Sequence, residues 1–138
     1  MLYLVKQVEL ATRAYLEDLL RPVGLTATQY TALTVLERSS NLTSAQLARN
    51  SFVTAQSMAD MITGLEAQSL IRRERDADDR RRLVLSLTSD GRRLLGRYRA
   101  KVAALEQQML SGLSTREAAE LRRGLLSCRS ELADEPAR

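Results

Sequence analysis

Thr43-Ser44-Ala45-Gln46-Leu47-Ala48-Arg49-Asn50, then Ser51-Phe52-Val53, then Thr54-Ala55-Gln56-Ser57-Met58 and on to Gln68, is the stretch that decides the fold. Both halves open on a threonine preceded by an apolar residue, Leu42-Thr43 and Val53-Thr54. A threonine hydroxyl there accepts from the first-turn amides, and the apolar neighbour staples the entry angle of the chain. Gln46 completes a capping box with Thr43, whereas Ser57 is too short to complete one with Thr54. The spacing predicts helices over 43–50 and 54–68 joined by a three-residue turn, which is helix-turn-helix spacing. Leu47, Ala48, Val53, Met58, Ile62 and Leu65 would fill its interior. An ordinary helical hairpin satisfies the same pattern, so the flanks must decide.

Downstream, Leu70–Arg75 reads as a strand of poor alternation. Leu83, Leu85 and Leu87 alternate with Val84 and Ser86, which predicts a half-buried strand. Between them runs Asp76-Ala77-Asp78-Asp79-Arg80-Arg81-Arg82, a charged loop without an apolar anchor. Two short strands with a basic tip, directly after a helix-turn-helix, make a wing. Upstream, Leu25-Thr26 followed by Gln29-Tyr30 is another full capping box and predicts a helix over 26–38.

The two ends of the chain are helical and more apolar than one small lobe requires. Leu4, Val8, Ala11, Tyr15 and Leu19 form a stripe that Arg21-Pro22 closes, widened by Val5, Leu16 and Leu20. Thr88 caps a helix carrying Leu94, Leu95, Tyr98, Val102, Leu105 and Met109 and ending near Gly112. Leu113-Ser114-Thr115-Arg116-Glu117 opens a last helix whose Ala118, Leu121, Leu125, Cys128 and Leu132 form a heptad seam. A symmetric dimer would cover this surface, with Leu4, Val8, Leu121, Leu125 and Leu132 at its seam. Cys128, on that stripe, would then be buried and slow to react.

Length and composition bound the function. A chain of 138 residues suits one domain that folds without disulfide or metal. Hydrophobic residues make up 44% and charged residues 28%, unlike a disordered tail or a membrane protein. The apolar run Met1–Val5 stops at Lys6, too soon for a signal peptide or a span, so a cytoplasmic protein without membrane contact is expected. With no histidine and one cysteine, nucleophilic catalysis and most zinc sites lose their usual groups, and no catalytic residue, metal or cofactor is expected. Charge is uneven. Residues 72–101 hold eleven Arg or Lys against five acids, net +6, within a chain of net +4. Such a block fits a polyanion partner or a solvated face.

With these parts in place the sequence resembles the MarR family of bacterial transcription regulators, over about residues 2–133. The resemblance is carried by Leu65-Glu66, Ile71-Arg72-Arg73, the loop Asp76–Arg81, and Leu85-Ser86-Leu87-Thr88-Ser89-Asp90-Gly91. Within these, Asp79 and Arg81 stand at the family's wing positions, and Thr88 and Gly91 follow in the family's spacing. Two positions depart from the pattern. Ser69 stands where glycine is usual, which would cost about 1 kcal/mol in a left-handed cap, so a different helix end is expected. Ala77 replaces a frequent proline.

The resemblance implies a mainly α fold, a winged helix-turn-helix with a two-stranded wing and an all-helical dimerisation region. It implies a single domain over 1–138, with the lobe at about 26–90 and dimerisation helices at about 1–21 and 100–134. A homodimer would sit on a pseudo-palindromic double-stranded DNA site, the helix from Thr54 in the major groove and the wing in the minor groove. The residues implied at DNA are Thr43, Thr54, Gln56, Ser57, Arg75, Asp79, Arg80, Arg81 and Arg82. Residue chemistry agrees: Gln56 can read adenine, and Arg81 suits a narrow, electronegative groove with Asp79 steadying a neighbouring arginine. Arg80 and Arg82 read best as non-specific phosphate contacts, and Met61 as packing. Family members respond to small aromatic or anionic effectors, for which Arg13, Tyr15 and Tyr30 are candidates, although both tyrosines lie in apolar stripes and suit the core better. A winged helix docking an acidic protein is the alternative function.

Overall fold

The computed structural model describes residues 1–133. Helix α1 (Leu2–Leu20) runs through a 3-10 turn (Arg21–Val23) to Gly24, which takes the left-handed conformation. Then follow α2 (Ala27–Arg38), α3 (Ser44–Asn50), α4 (Ala55–Ala67), β1 (Ile71–Arg75), β2 (Leu83–Leu87), α5 (Ser89–Leu110) and α6 (Thr115–Ala133). Capping chemistry sets nearly every boundary. Thr26 with Gln29 and Thr43 with Gln46 form reciprocal capping boxes. Thr54 and Thr88 each accept from a first-turn amide alone, and Ser114 pairs reciprocally with Glu117. That last bond and the Ser114 hydroxyl hold the Glu117 carboxyl below the usual carboxylate range. The turn between α3 and α4 is closed by Phe52 at a left-handed φ of 54°.

β1 and β2 pair antiparallel from Ile71↔Leu87 to Arg75↔Leu83. The half-buried reading of β2 needs correction: Val84, Leu85, Ser86 and Leu87 are all buried, and only Leu83 is exposed. The reason is its position between neighbours. β1 covers one edge, Leu42 bridges the other through the Leu85 N–H at 2.8 Å, and α2, α3 and α5 pack against it. Alternation marks a strand with one wet face, and this strand has none.

The joint between α4, the wing and α5 shows why Ser69 is tolerated. Ser69 adopts the left-handed conformation at φ 59°, so α4 ends as a glycine-capped helix would, contrary to expectation. Its N–H donates to Glu66 O and its carbonyl accepts from the Thr88 hydroxyl at 2.6 Å. The same Thr88 oxygen accepts from Gly91 N. A side chain at Gly91 would collide with the Leu70 carbonyl. Thr88→Val keeps the shape and removes both hydroxyl bonds. It should lower unfolding stability by roughly 1–2 kcal/mol in chemical denaturation.

The core lies wholly between Leu20 and Tyr98. Leu33, Leu36, Leu47, Met58, Ile62, Leu65 and Leu95 are its most buried large side chains, together with Leu20. Only the first half of α5 contributes to it, through Leu94, Leu95 and Tyr98. Outside this region the apolar residues face out. Among the described residues, every exposed large hydrophobic except Phe52 and Leu83 lies in 1–15 or 109–132. Helix α6 buries nothing, and α1 buries only Leu20.

Candidate nucleic-acid interface

The N-terminus of α4 is open to solvent. Thr54 Oγ1 accepts from Ser57 N at 3.1 Å and donates to the Ser57 hydroxyl at 3.0 Å, which turns both small side chains inward on the cap. Gln56 is exposed beyond them, and its Nε2 donates to Asp60 Oδ1 at 3.3 Å. Asp60 was not among the residues expected from sequence, although the i,i+4 spacing from Gln56 was there to be read. A carboxylate on this face accepts from cytosine N4 and repels phosphate and guanine acceptors. Met61 packs on the core, as expected. Thr43 is half-buried, its hydroxyl accepting from Gln46 N and its N–H donating to Gln46 Oε1.

The wing divides its arginines into two kinds. Arg81 projects from the tip, its side chain 93% exposed, tethered only to Asp79 at 3.3 Å. Asp79 also accepts from the Arg81 N–H, so one carboxylate orders both the turn and the guanidinium. Arg80 is exposed. Arg75 and Arg82 are exposed as well, and each also makes a contact within the protein. Arg75 Nη1 donates to the Arg80 carbonyl at 3.2 Å. Arg82 pairs with Asp76 and reaches Gln46 on α3. Asp76 in turn accepts from Asp78 N. At the base of the wing, Arg73 pairs with Glu66 at 2.8 Å and fixes β1 to the end of α4.

Two comparisons decide the family. The profile of the MarR family matches residues 23–82, which span the helix-turn-helix and the wing loop. An HTH-type transcriptional repressor of Mycobacterium tuberculosis is 33% identical over 123 residues, covering 89% of this chain and 88% of that protein. The chain belongs to the MarR family.

The family is one of transcription regulators and not of enzymes. Solved structures agree on the fold. The transcriptional regulator SlyA superposes with a TM-score of 0.87 at 22% identity, covering 96% of this chain and 94% of that one. The S. aureus MepR–DNA complex superposes with a TM-score of 0.80 at 25% identity, covering 94% and 96%. Among the described residues no cluster of ligating side chains could hold a metal, and no helix is long and apolar enough to cross a membrane.

The three residues considered for an effector line three different clefts of this MarR-family chain. Tyr30 is buried, and burial pushes its hydroxyl above the ordinary tyrosine value, partly offset by the Arg99 charge. Its cleft, about 320 Å³, lies between α2 and α5 and includes Leu16, Thr34, Glu37 and Arg99. Arg13 opens on a cleft between α1 and the helix-turn-helix, where it pairs with Glu9 and holds that carboxyl below its usual range. These two clefts share Leu16 and Thr31. Tyr15 was expected in the core and is half exposed, facing Lys101, Leu105 and Gln108 of α5. It belongs to the apolar stripe that one chain leaves uncovered. Cys128, expected to be buried on the seam, is likewise exposed in the single chain.

Proposed function

We propose that this chain is a DNA-binding transcriptional repressor acting in the cytoplasm as a homodimer on a pseudo-palindromic operator. The observation that carries this reading is the pairing of an open α4 N-terminus with an arginine, Arg81, whose side chain is almost fully exposed on the wing tip. A helix start with free amides and an exposed amide side chain suits the major groove. An arginine held out on a narrow hairpin suits the minor groove beside it. The uncovered apolar faces of α1 and α6 support a second copy as partner. The DNA named in the MepR structure and the repressor name of the mycobacterial relative support the same assignment.

Release by a small aromatic or anionic molecule is part of the proposal. The Tyr30 cleft supports it, because α2 and α5 are tied there by Arg99, which donates to both Glu37 oxygens at 2.9 and 3.0 Å. A small organic anion that takes Arg99 from Glu37 would loosen the lobe from the dimer helices. Its volume is at the small end for ligand sites.

The test is a titration with the DNA upstream of the chain's own gene at several salt concentrations. Two wings and two helix starts should contact 6–10 phosphates, so log affinity should fall with log salt at a slope of about −5 to −9. A slope flatter than about −2 would show that the basic block faces something other than DNA, such as an acidic protein.

A further inference from the structure

Arg82 stands among the wing arginines in sequence and apart from them in structure. It ends the wing loop immediately before β2, and its backbone closes the hairpin: the Asp76 N–H donates to its carbonyl at 3.0 Å, and its N–H donates to Asp79 O at 2.9 Å. Its side chain turns back from the tip. Nε lies 3.6 Å from Asp76 Oδ2, a carboxylate only 18% exposed, and Nη2 donates to Gln46 Oε1 at 3.3 Å. That same oxygen accepts from the Thr43 N–H at 2.9 Å. One amide oxygen therefore serves the N-cap of α3 and the guanidinium of the wing. Next door, the Leu85 N–H donates to Leu42 O, so the wing meets the start of α3 at two adjacent points, one backbone and one side-chain.

We propose that Arg82 is a positioning residue, which through Gln46 and Asp76 sets the angle of the wing against the helix-turn-helix. Arg82 does not serve the phosphate backbone; it holds Arg81 in register with α4. The chemistry fits this division. Nε and Nη2 of Arg82 face Asp76 and Gln46, and its side chain is 44% exposed against 93% for Arg81. Arg81, with one exposed tether, keeps its donors for a partner. The base of the hairpin is fixed by the buried β2 and by Leu42, so what could pivot is the tip over 76–82, whose other hydrogen bonds among the described residues stay within the hairpin. A second attachment from α3 removes that pivot.

This inference rests on the DNA-binding reading for its consequence but not for its geometry, so the experiment has two arms. The first needs no DNA: ¹⁵N relaxation of the full chain, wild type against Arg82→Ala and Gln46→Ala. Both substitutions should drop the order parameters of the amides in 77–81 from about 0.85 toward 0.6, with α2 and α5 unchanged. Loss of the α3 cap alone would instead loosen 43–47 and leave the wing rigid, which overturns the proposal for Gln46. Gln46→Glu keeps an acceptor for both donors and should keep the wing ordered.

The second arm uses a duplex enriched from a random pool by the wild-type chain. A wing that is competent a third of the time costs each site threefold, so a dimer should lose about tenfold in affinity with either alanine variant. The double variant should lose little more than Arg82→Ala alone, since the Arg82–Gln46 contact is already broken in it. The salt slope should stay unchanged. If Arg82→Ala flattens the slope by about 2, as expected for one phosphate lost per wing, and Gln46→Ala has no effect, Arg82 is a phosphate ligand and the proposal falls. If no duplex is enriched, the DNA reading fails, while the relaxation arm still decides the strut.

Discussion

Leu125→Asp should convert the proposed dimer to monomers and abolish binding to the proposed operator. Leu125 lies on α6, half exposed in the single chain. With Met109, Leu110, Leu121 and Leu126 it lines a mainly apolar groove of about 450 Å³ between α5 and α6. No residue of α6 is buried by the chain itself, so in the proposed dimer the second copy is what would cover its apolar stripe. A two-fold axis places any substitution in the seam twice. Each buried, unpaired carboxylate costs several kcal/mol, enough to cancel an interface of ordinary stability. A monomer then meets one half-site alone, and the affinity gained by linking two half-sites disappears. Light scattering should report half the wild-type mass or aggregates, and titration should show no specific binding. Circular dichroism should still show a folded lobe, because the core ends at Tyr98. A folded, DNA-competent dimer of Leu125→Asp would refute the seam.

The fold was legible because capping residues are local. Thr26, Thr43, Thr54, Thr88 and Ser114 each need only a partner three residues on, and each sets a helix start where the sequence put it. Ser69 shows the limit of that logic. Intrinsic preference argued against a left-handed serine, and a hydroxyl 19 residues away, on Thr88, settles the matter by accepting the strain into a tertiary bond. Alternation failed in β2 for a similar reason. The pattern reports how many faces are wet, and helices α2, α3 and α5, from other segments, pack against this strand.

The residues of the candidate site were legible in the sequence, and their contacts with one another were not. A run of Arg80-Arg81-Arg82 announces a basic tip, yet nothing in the run ranks its members. The ranking comes from Gln46, 36 residues upstream of Arg82, and from Asp76 on the far side of the hairpin. Arg75 is likewise diverted to a carbonyl that only the folded turn presents. Asp60 lies one turn from Gln56 on the same helix face, and only the hydrogen bond between them ties it to the candidate site. Tyr15 was misplaced in the core because a stripe does not say whether its cover comes from the same chain or another.

Arg81→Ala and Gln56→Ala should separate the two modes of reading. Arg81 carries a full charge on a hairpin tip with its side chain nearly free of the protein, so its removal costs the attraction of a narrow groove and leaves the fold untouched. Binding should weaken by roughly 1–3 kcal/mol per site for most sequences, and the dimer has two sites. The salt slope should flatten, with some loss of preference for AT-rich flanks. Gln56 is neutral, and in the proposed complex its amide, held at one end by Asp60, would read hydrogen-bonding edges. Its loss should leave the salt slope unchanged and relax preference at one or two base pairs in each half-site. A duplex library enriched by wild type and by each variant, with titrations at three salt concentrations, measures both effects together. Wing and helix would be wrongly placed if the two variants gave the same sequence profile and the same salt slope.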